Sequence, residues 1–306
     1  MRVIDSHVHF WRIGGPGQTW PDAGWPLIYR DFGPVELLAA ISAGGPAGSV
    51  AAVRRPTRRA ETEQASAVAA ATAADVQGVV LVQSQPDDRD TDWILEVARD
   101  AMVVLAVVGW VDLASPAAPA RIAELAGKPK LRGLRPMLQA IDDTEWILRR
   151  ELEPALQAMV QHGLRFDALI QPRHLPVLLE FARRWPKLAI VVDHGAKPRI
   201  ALGEIEPWQA QLAQLSLLPN IYCKLSGLRT EQTVGAPTAE LQPYIRQLVA
   251  SFPGRLMWGS DWPVLLHARD SYSDWLECAR QYAGAQDQAQ LDSLFSGAAQ
   301  DFYGLR

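Results

Sequence analysis

Two histidines stand two residues apart in the run Val3-Ile4-Asp5-Ser6-His7-Val8-His9-Phe10 near the start of the chain. In an extended strand both imidazoles point to the same side. There they can hold a metal ion or polarise a carbonyl, provided that other ligands arrive from elsewhere in the fold. Two later apolar runs offer them. Val191-Val192-Asp193-His194-Gly195 leads to His194, and Met257-Trp258-Gly259-Ser260-Asp261-Trp262-Pro263 leads to Asp261.

Short runs rich in β-branched and apolar residues alternate with longer segments of helical periodicity, the pattern of a parallel sheet with crossover helices. The expected strands are Val3 to Phe10, Gly78 to Gln83, Val103 to Trp110, Leu131 to Met137, Arg165 to Gln171, Leu188 to His194, Asn220 to Ser226 and Arg255 to Asp261. Helices are expected at Thr91 to Ala101, Pro116 to Ala126, Thr144 to His162, Leu175 to Trp185, Pro207 to Leu215 and Thr238 to Ser251, with two more near Ser271 to Tyr282 and Gln288 to Gln300. Eight strands joined this way argue for an α/β fold of the TIM (β/α)8 barrel type, whose active sites lie at the C-terminal ends of the strands. His7, His9, Gln83, Arg135, Gln171, His194 and Asp261 all fall at or near such ends. An open doubly wound sheet is the competing architecture, but the chain has no Gly-rich phosphate loop after its first strand.

The chain of 306 residues is 48% hydrophobic and 21% charged, which suits one large domain, 1–306, at the upper limit of a single core. Residues 44–77 read as an atypical insertion rich in Ala, Gly, Thr and Arg, with a short extra strand at Ser49 to Val53 and an alanine-rich helix at Ala60 to Ala74. Gly14 to Phe32 is a Pro/Gly-rich loop carrying Trp20, Trp25, Tyr29 and Arg30, and its aromatic residues either wall a ligand pocket or simply pack.

The net charge of -4, with both signs interspersed, presents no basic face for nucleic acid or an anionic membrane, so a small-molecule substrate is expected. No signal pattern and no apolar run of membrane-spanning length is visible, which points to the cytoplasm. A homo-oligomer is compatible with apolar parts of the extra segment. Cys223 and Cys278 fit neither a disulfide framework nor a Cys-rich zinc site.

The motifs Asp-Ser-His-Val-His-Phe-Trp at 5–11, Leu-Arg-Gly-Leu-Arg at 131–135, Gln-Pro-Arg-His-Leu-Pro at 171–176, Asp-His-Gly-Ala-Lys-Pro at 193–198, Lys-Leu-Ser-Gly-Leu at 224–228 and Trp-Gly-Ser-Asp-Trp-Pro at 258–263 resemble the amidohydrolase superfamily. More narrowly, they resemble its sugar-lactonase branch, which includes L-fuconolactone and L-rhamnonolactone hydrolases. The resemblance implies a distorted TIM barrel with a hydrolytic site at its mouth, and carries over to His7 and His9 on the first strand, His194 on the sixth and Asp261 on the eighth. The superfamily's metal-bridging lysine and its strand-five histidine have no counterpart, since those strands end in Arg135-Pro136 and Gln171-Pro172. One divalent ion is therefore expected rather than two.

Opening a lactone requires an activated water, a polarised carbonyl and a stabilised oxyanion. Asp261 is the natural general base, with His194 beside it as a catalytic group. His7, His9, His194 and Asp261 can together hold one zinc or manganese ion, or do part of the work without it. Arg135 is costly to bury without an anion, so either a substrate oxygen or a carboxylate such as Asp167 should meet it. Gln83, Gln171, Lys197 and Trp262 are candidates for holding the sugar. Lys224, in register with Tyr222 and Ser226, reads as a structural ion pair facing the interior, and Asp5 as a group that orients a neighbouring histidine. His162 and His174 read as structural, and His267 is set aside. The reading is an aldonolactone hydrolase. Its rivals are a nonoxidative metal-dependent decarboxylase of the same superfamily and a non-catalytic small-molecule-binding barrel.

Overall fold

A computed structural model describes residues 2–15, 17–43, 76–284 and 287–305. Along the chain come β1 (Val3–Val8), α1 (Pro34–Ala43), β2 (Val76–Val82), α2 (Asp88–Asp100), β3 (Val104–Gly109), α3 (Ala118–Ala126), β4 (Leu131–Leu134), α4 (Glu153–Gln161) and β5 (Arg165–Ala168). They are followed by α5 (Leu175–Arg184), β6 (Ile190–Val192), α6 (Trp208–Ser216), β7 (Ile221–Leu225), α7 (Gln242–Ser251), β8 (Leu256–Trp258), α8 (Tyr272–Ala283), α9 (Gln288–Asp292) and α10 (Ala298–Tyr303). The strands form one sheet in the order β1 to β8, each pair parallel. Closure runs through a parallel bridge between Val8 and Trp262, with His9 N donating to Trp262 O at 2.8 Å and Asp261 N to His7 O at 2.9 Å. Gly259 permits this approach, because a Cβ there would lie 2.8 Å from the Cβ of His7. All eight expected strands are present, and the closed order excludes the doubly wound alternative.

Two apolar layers follow from the strand alternation. Val79, Leu81, Val107, Ile190 and Val192 face the surrounding helices in the larger core. Their neighbours Val80, Val82, Ala106, Val108, Val191 and Met257 pack with Phe302 and Tyr303 of α10, so the C-terminal helix plugs one end of the barrel. That end carries the strand starts, since Arg165 at the beginning of β5 donates through Nε to Phe302 O at 2.6 Å. The opposite end remains available for a ligand.

Several boundaries differ from expectation. The helix expected over Thr144 to His162 is helical only from Glu153, preceded by short 3-10 turns at Trp146–Leu148 and Arg150–Leu152. Pro154 explains this, because it is tolerated in a first helical turn but not in an interior. The expected Gln288 to Gln300 helix is interrupted by a π turn at Ser293–Gly297. Helix α1 was not anticipated; only Leu37 and Leu38 are buried in it, so its apolar stripe is faint. The expected elements at 49–53 and 60–74 lie outside the described residues. Among those described, no helix is long and apolar enough to cross a membrane.

Candidate active site

The strand ends opposite α10 bring His7, His9, Arg135, His194 and Asp261 together. On β1, His7 Nε2 and His9 Nε2 are 3.1 Å apart. His9 is fixed by its Nδ1, 2.8 Å from Val82 O. Asp261 Oδ1 stands 3.5 Å from His9 Nε2 and 3.8 Å from His7 Nε2. His194 reaches the same place from the turn after β6, its ring 4.5 Å from that of His7 and its Nδ1 2.9 Å from Ser226 Oγ.

The backbone is unusual where it delivers these groups. His194 and Asp261 adopt left-handed conformations, with φ of 54° and 57°, which non-glycine residues populate sparingly. Gly227 is left-handed as well, and a Cβ there would lie 2.5 Å from His194 Nδ1, so only glycine leaves the ring its place.

Beneath the histidines lies a fully buried charge cluster. Lys224 donates to Asp167 Oδ2 at 2.6 Å and pairs with Asp193 Oδ1 at 3.0 Å, while its Nζ is 3.1 Å from His7 Nδ1. Tyr303 OH donates to the same Asp167 oxygen at 2.6 Å. Arg135 Nη1 lies 3.7 Å from Asp193 Oδ2 and 3.4 Å from His7 Nε2, and Nη2 donates to Gln83 O. Two cations against two carboxylates leave no net buried charge, which makes their desolvation tolerable. The ion pair expected for Lys224 is therefore present. The carboxylate expected for Arg135 is Asp193 instead of Asp167, whose oxygen is taken by Lys224 and Tyr303. Asp193 lies two residues beyond the inward-facing Val191, and that alternation was the signal that could have found it.

Burial dominates the electrostatics. It lowers the pKa of His9 and lowers those of His7 and His194 well below the ordinary value, so the imidazoles are neutral near pH 7. Burial pushes the Asp261 carboxyl up, but His194, His9 and Lys197 outweigh it and hold the group below its ordinary value. Asp5, raised to about 6 by burial, accepts from His7 N at 3.1 Å and Ser260 N at 2.9 Å. It thus pins the β1 and β8 backbones together instead of gripping an imidazole ring.

Above the cluster opens a cleft of about 450 Å3 bordered by His9, Arg135, His194, Lys197 and Asp261. Trp20, Trp25 and His267 form part of its wall. The Gly14 to Phe32 loop thereby serves both suggested purposes, since Trp20 also packs edge-on against Trp11 at 5.3 Å. His267, set aside on sequence, packs at a tilt against Trp25 at this wall, the ring centres 4.4 Å apart. Gln85 ties the loop down. Its Oε1 accepts from Thr19 N at 3.0 Å and Trp20 N at 3.2 Å, and its Nε2 donates to Trp20 O at 2.5 Å.

Three expected sugar contacts lie elsewhere. Gln83 is fully buried and donates to Arg135 O at 2.8 Å. Gln171 accepts from Arg173 Nε at 3.2 Å at a turn where His174 is likewise structural. Trp262 is buried against Phe32, 5.2 Å ring to ring. Lys197 does border the cleft, paired with Glu231 at 2.9 Å. His162 is exposed at the end of α4.

The donor chemistry fits one divalent ion. Ligand atoms of His7, His194 and Asp261 lie within 4.8 Å of one another, and His9 Nε2 joins them. Tetrahedral N and O ligands about 2.0–2.1 Å from zinc stand roughly 3.4 Å apart, close to the spacing of Asp261 Oδ1 from His9 Nε2.

The amidohydrolase family profile matches residues 4–305. An L-fucono-1,5-lactonase of Burkholderia ambifaria is 43% identical over 98% of this chain and 94% of its own length. A second L-fucono-1,5-lactonase, from Burkholderia multivorans, is 31% identical over 99% of this chain and 96% of its own. The crystal structure of an amidohydrolase from Burkholderia multivorans with bound zinc superimposes with a TM-score of 0.81 at 30% identity, covering 100% of both chains.

Proposed function

The chain belongs to the amidohydrolase family, and from that premise we propose that it hydrolyses a sugar-derived lactone, L-fucono-1,5-lactone first among them, to the open hydroxy acid. The full-length likeness to two L-fucono-1,5-lactonases carries this reading. The cleft supports it, being of the size that takes a small molecule and joining polar groups on one side to indole rings on the other.

In the proposed reaction Asp261 takes a proton from water as the water oxygen attacks the lactone carbonyl carbon. Charge gathers on the carbonyl oxygen, where the Arg135 guanidinium and His194 receive it. The ring C–O bond then breaks, and Asp261 returns the proton to the departing alkoxide, giving the carboxylic acid and a free hydroxyl. Lys197 meets sugar hydroxyls, and Trp20 and Trp25 border the ring. A zinc or manganese ion held by His7, His9, His194 and Asp261 would, when bound, polarise the carbonyl and lower the pKa of water.

Proton release from fucono-, rhamnono-, galactono- and gluconolactones, followed with metal-stripped protein and again with added zinc or manganese, tests the proposal. Rapid acid release from at least one lactone is expected, with L-fucono-1,5-lactone best. Failure on every lactone in both conditions would sink it. Gln85 supplies a second check: Gln85→Ala frees the Trp20 segment at the cleft wall, and KM should rise about tenfold, the equivalent of one or two hydrogen bonds, with kcat within about threefold. Saturation kinetics that leave KM unchanged would show that this loop does not hold substrate.

A further inference from the structure

Among the described residues, the Lys, Arg, Asp and Glu side chains that border the cleft are Arg135, Lys197, Glu231 and Asp261. Their charges cancel, so the cleft offers a ligand no net attraction of either sign. The two cations differ in what holds them. Arg135 is buried at the floor, where it faces Asp193 Oδ2 and donates to Gln83 O. Lys197 comes from the turn after β6 and is 21% exposed. Its Nζ donates to Glu231 Oε1 at 2.9 Å, its only hydrogen-bond partner among the described residues. Glu231 ends the 3-10 turn Leu228–Glu231 that follows β7. That turn is anchored on both sides, with Arg229 Nε donating to Asp270 Oδ2 at 2.7 Å and Thr230 Oγ1 to Gly227 O at 2.8 Å. Glu231 is thus held against Lys197 by the turn that carries it.

From this arrangement we propose that Glu231 is a specificity-determining residue: it occupies the ammonium of Lys197, so that the cleft takes uncharged lactone rings and rejects rings that carry a carboxylate. A lysine with no counter-ion on a partly desolvated wall would capture a ring carboxylate through a charge-assisted hydrogen bond, a gain of tenfold or more in affinity. With Glu231 in place, an entering carboxylate must displace it or lie beside it, and Asp261 adds a second like charge. Either way the gain is lost, and discrimination is a difference of affinities. An uncharged sugar loses nothing, because a hydroxyl can accept one of the remaining Lys197 hydrogens and donate to Glu231. The substrates so selected are lactones of aldonic acids, and those refused are lactones of uronic or aldaric acids. Ion pairs this open to solvent contribute little to stability, so the effect belongs in recognition. The inference deepens the proposed function and rests on it in taking a lactone ring to lie beside Lys197.

Binding without turnover tests it. D-galacturonate and D-glucuronate are titrated into 15N-labelled protein beside D-galactose and D-glucose, which differ from them only in carrying a hydroxymethyl group where the uronates carry a carboxylate. The wild type should bind neither uronate more tightly than its uncharged counterpart. Glu231→Gln should bind at least one uronate at least tenfold more tightly than the wild type does, with hexose affinities within about threefold. Glu231→Ser, which clears the space as well as the charge, should show the same gain, and cooperative melts establish that the variants are folded. In Lys197→Met/Glu231→Gln the gain should disappear, because the ammonium that receives the carboxylate is gone. No gain for either uronate in the single variants, an equal gain for the hexoses, or a gain that survives in the double variant would overturn the proposal. Because no arm reads turnover, an inactive protein that shows the gain would fault the lactonase reading alone, and an active lactonase without it would fault this inference alone.

Discussion

Asp261→Asn should lower kcat on L-fucono-1,5-lactone by about 10^3-fold, within the range that a positioned general acid or base contributes, while KM stays within a factor of a few. The substitution is nearly isosteric. Asn accepts a left-handed backbone more readily than most residues, so the φ of 57° is retained. In the proposed reaction, what is lost is the ability to take a proton from water and hand it to the leaving oxygen. In the wild type the carboxyl lies below its ordinary value of 3.8 despite its burial, so the base stays ionised through the neutral and mildly acidic range. The acid limb of kcat/KM should consequently fall below about pH 4. Stopped-flow proton release over a pH series measures both quantities. A variant retaining more than a tenth of wild-type kcat would remove Asp261 from the proton transfers.

Arg135→Met should cost about 10^2 to 10^3 in kcat/KM, the loss associated with deleting one charge-stabilising donor from a water-poor site. Arg135 is buried at the floor of the cleft. Its Nη2 is anchored on Gln83 O, and Nη1 lies toward Asp193 and His7. Arg135→Lys should recover little, because an ammonium cannot hold the carbonyl of Gln83 and face the cleft with the same planar fork. The arginine also neutralises Asp193, so the methionine variant should melt at lower temperature; kinetics must be taken below its transition. A full rescue of kcat/KM by lysine would mean that charge alone is needed, and no loss in either variant would take Arg135 out of the reaction.

The fold was legible because a barrel strand buried on both faces is a short β-branched run, and Val76–Val82, Val104–Gly109 and Ile190–Val192 are such runs. The meeting of His7, His9, His194 and Asp261 at one end of the barrel was legible for a related reason: each ends or closely follows an apolar strand run. The misplaced residues show where pattern reading fails. Gln83 follows Val80 and Val82, both inward, so period-two alternation turns it away from the barrel axis and toward Arg135 O. The left-handed Asp261 breaks the alternation after β8, which sends Trp262 outward to Phe32 instead of into the cleft. At Gln171 the strand has already ended at Ala168 and the chain is turning toward α5. The clasp of Gln85 on Trp20 joins positions 65 residues apart, and no local pattern encodes such a contact.

We propose that this cleft opens a sugar lactone with Asp261 as the base. Proton release from L-fucono-1,5-lactone, with the spontaneous rate subtracted, compared between wild type and Asp261→Asn of equal thermal stability, tests it most directly. Fast acid release by the wild type and a rate near background for the variant are expected. Equal rates for the two proteins, whether both fast or both at background, would contradict it.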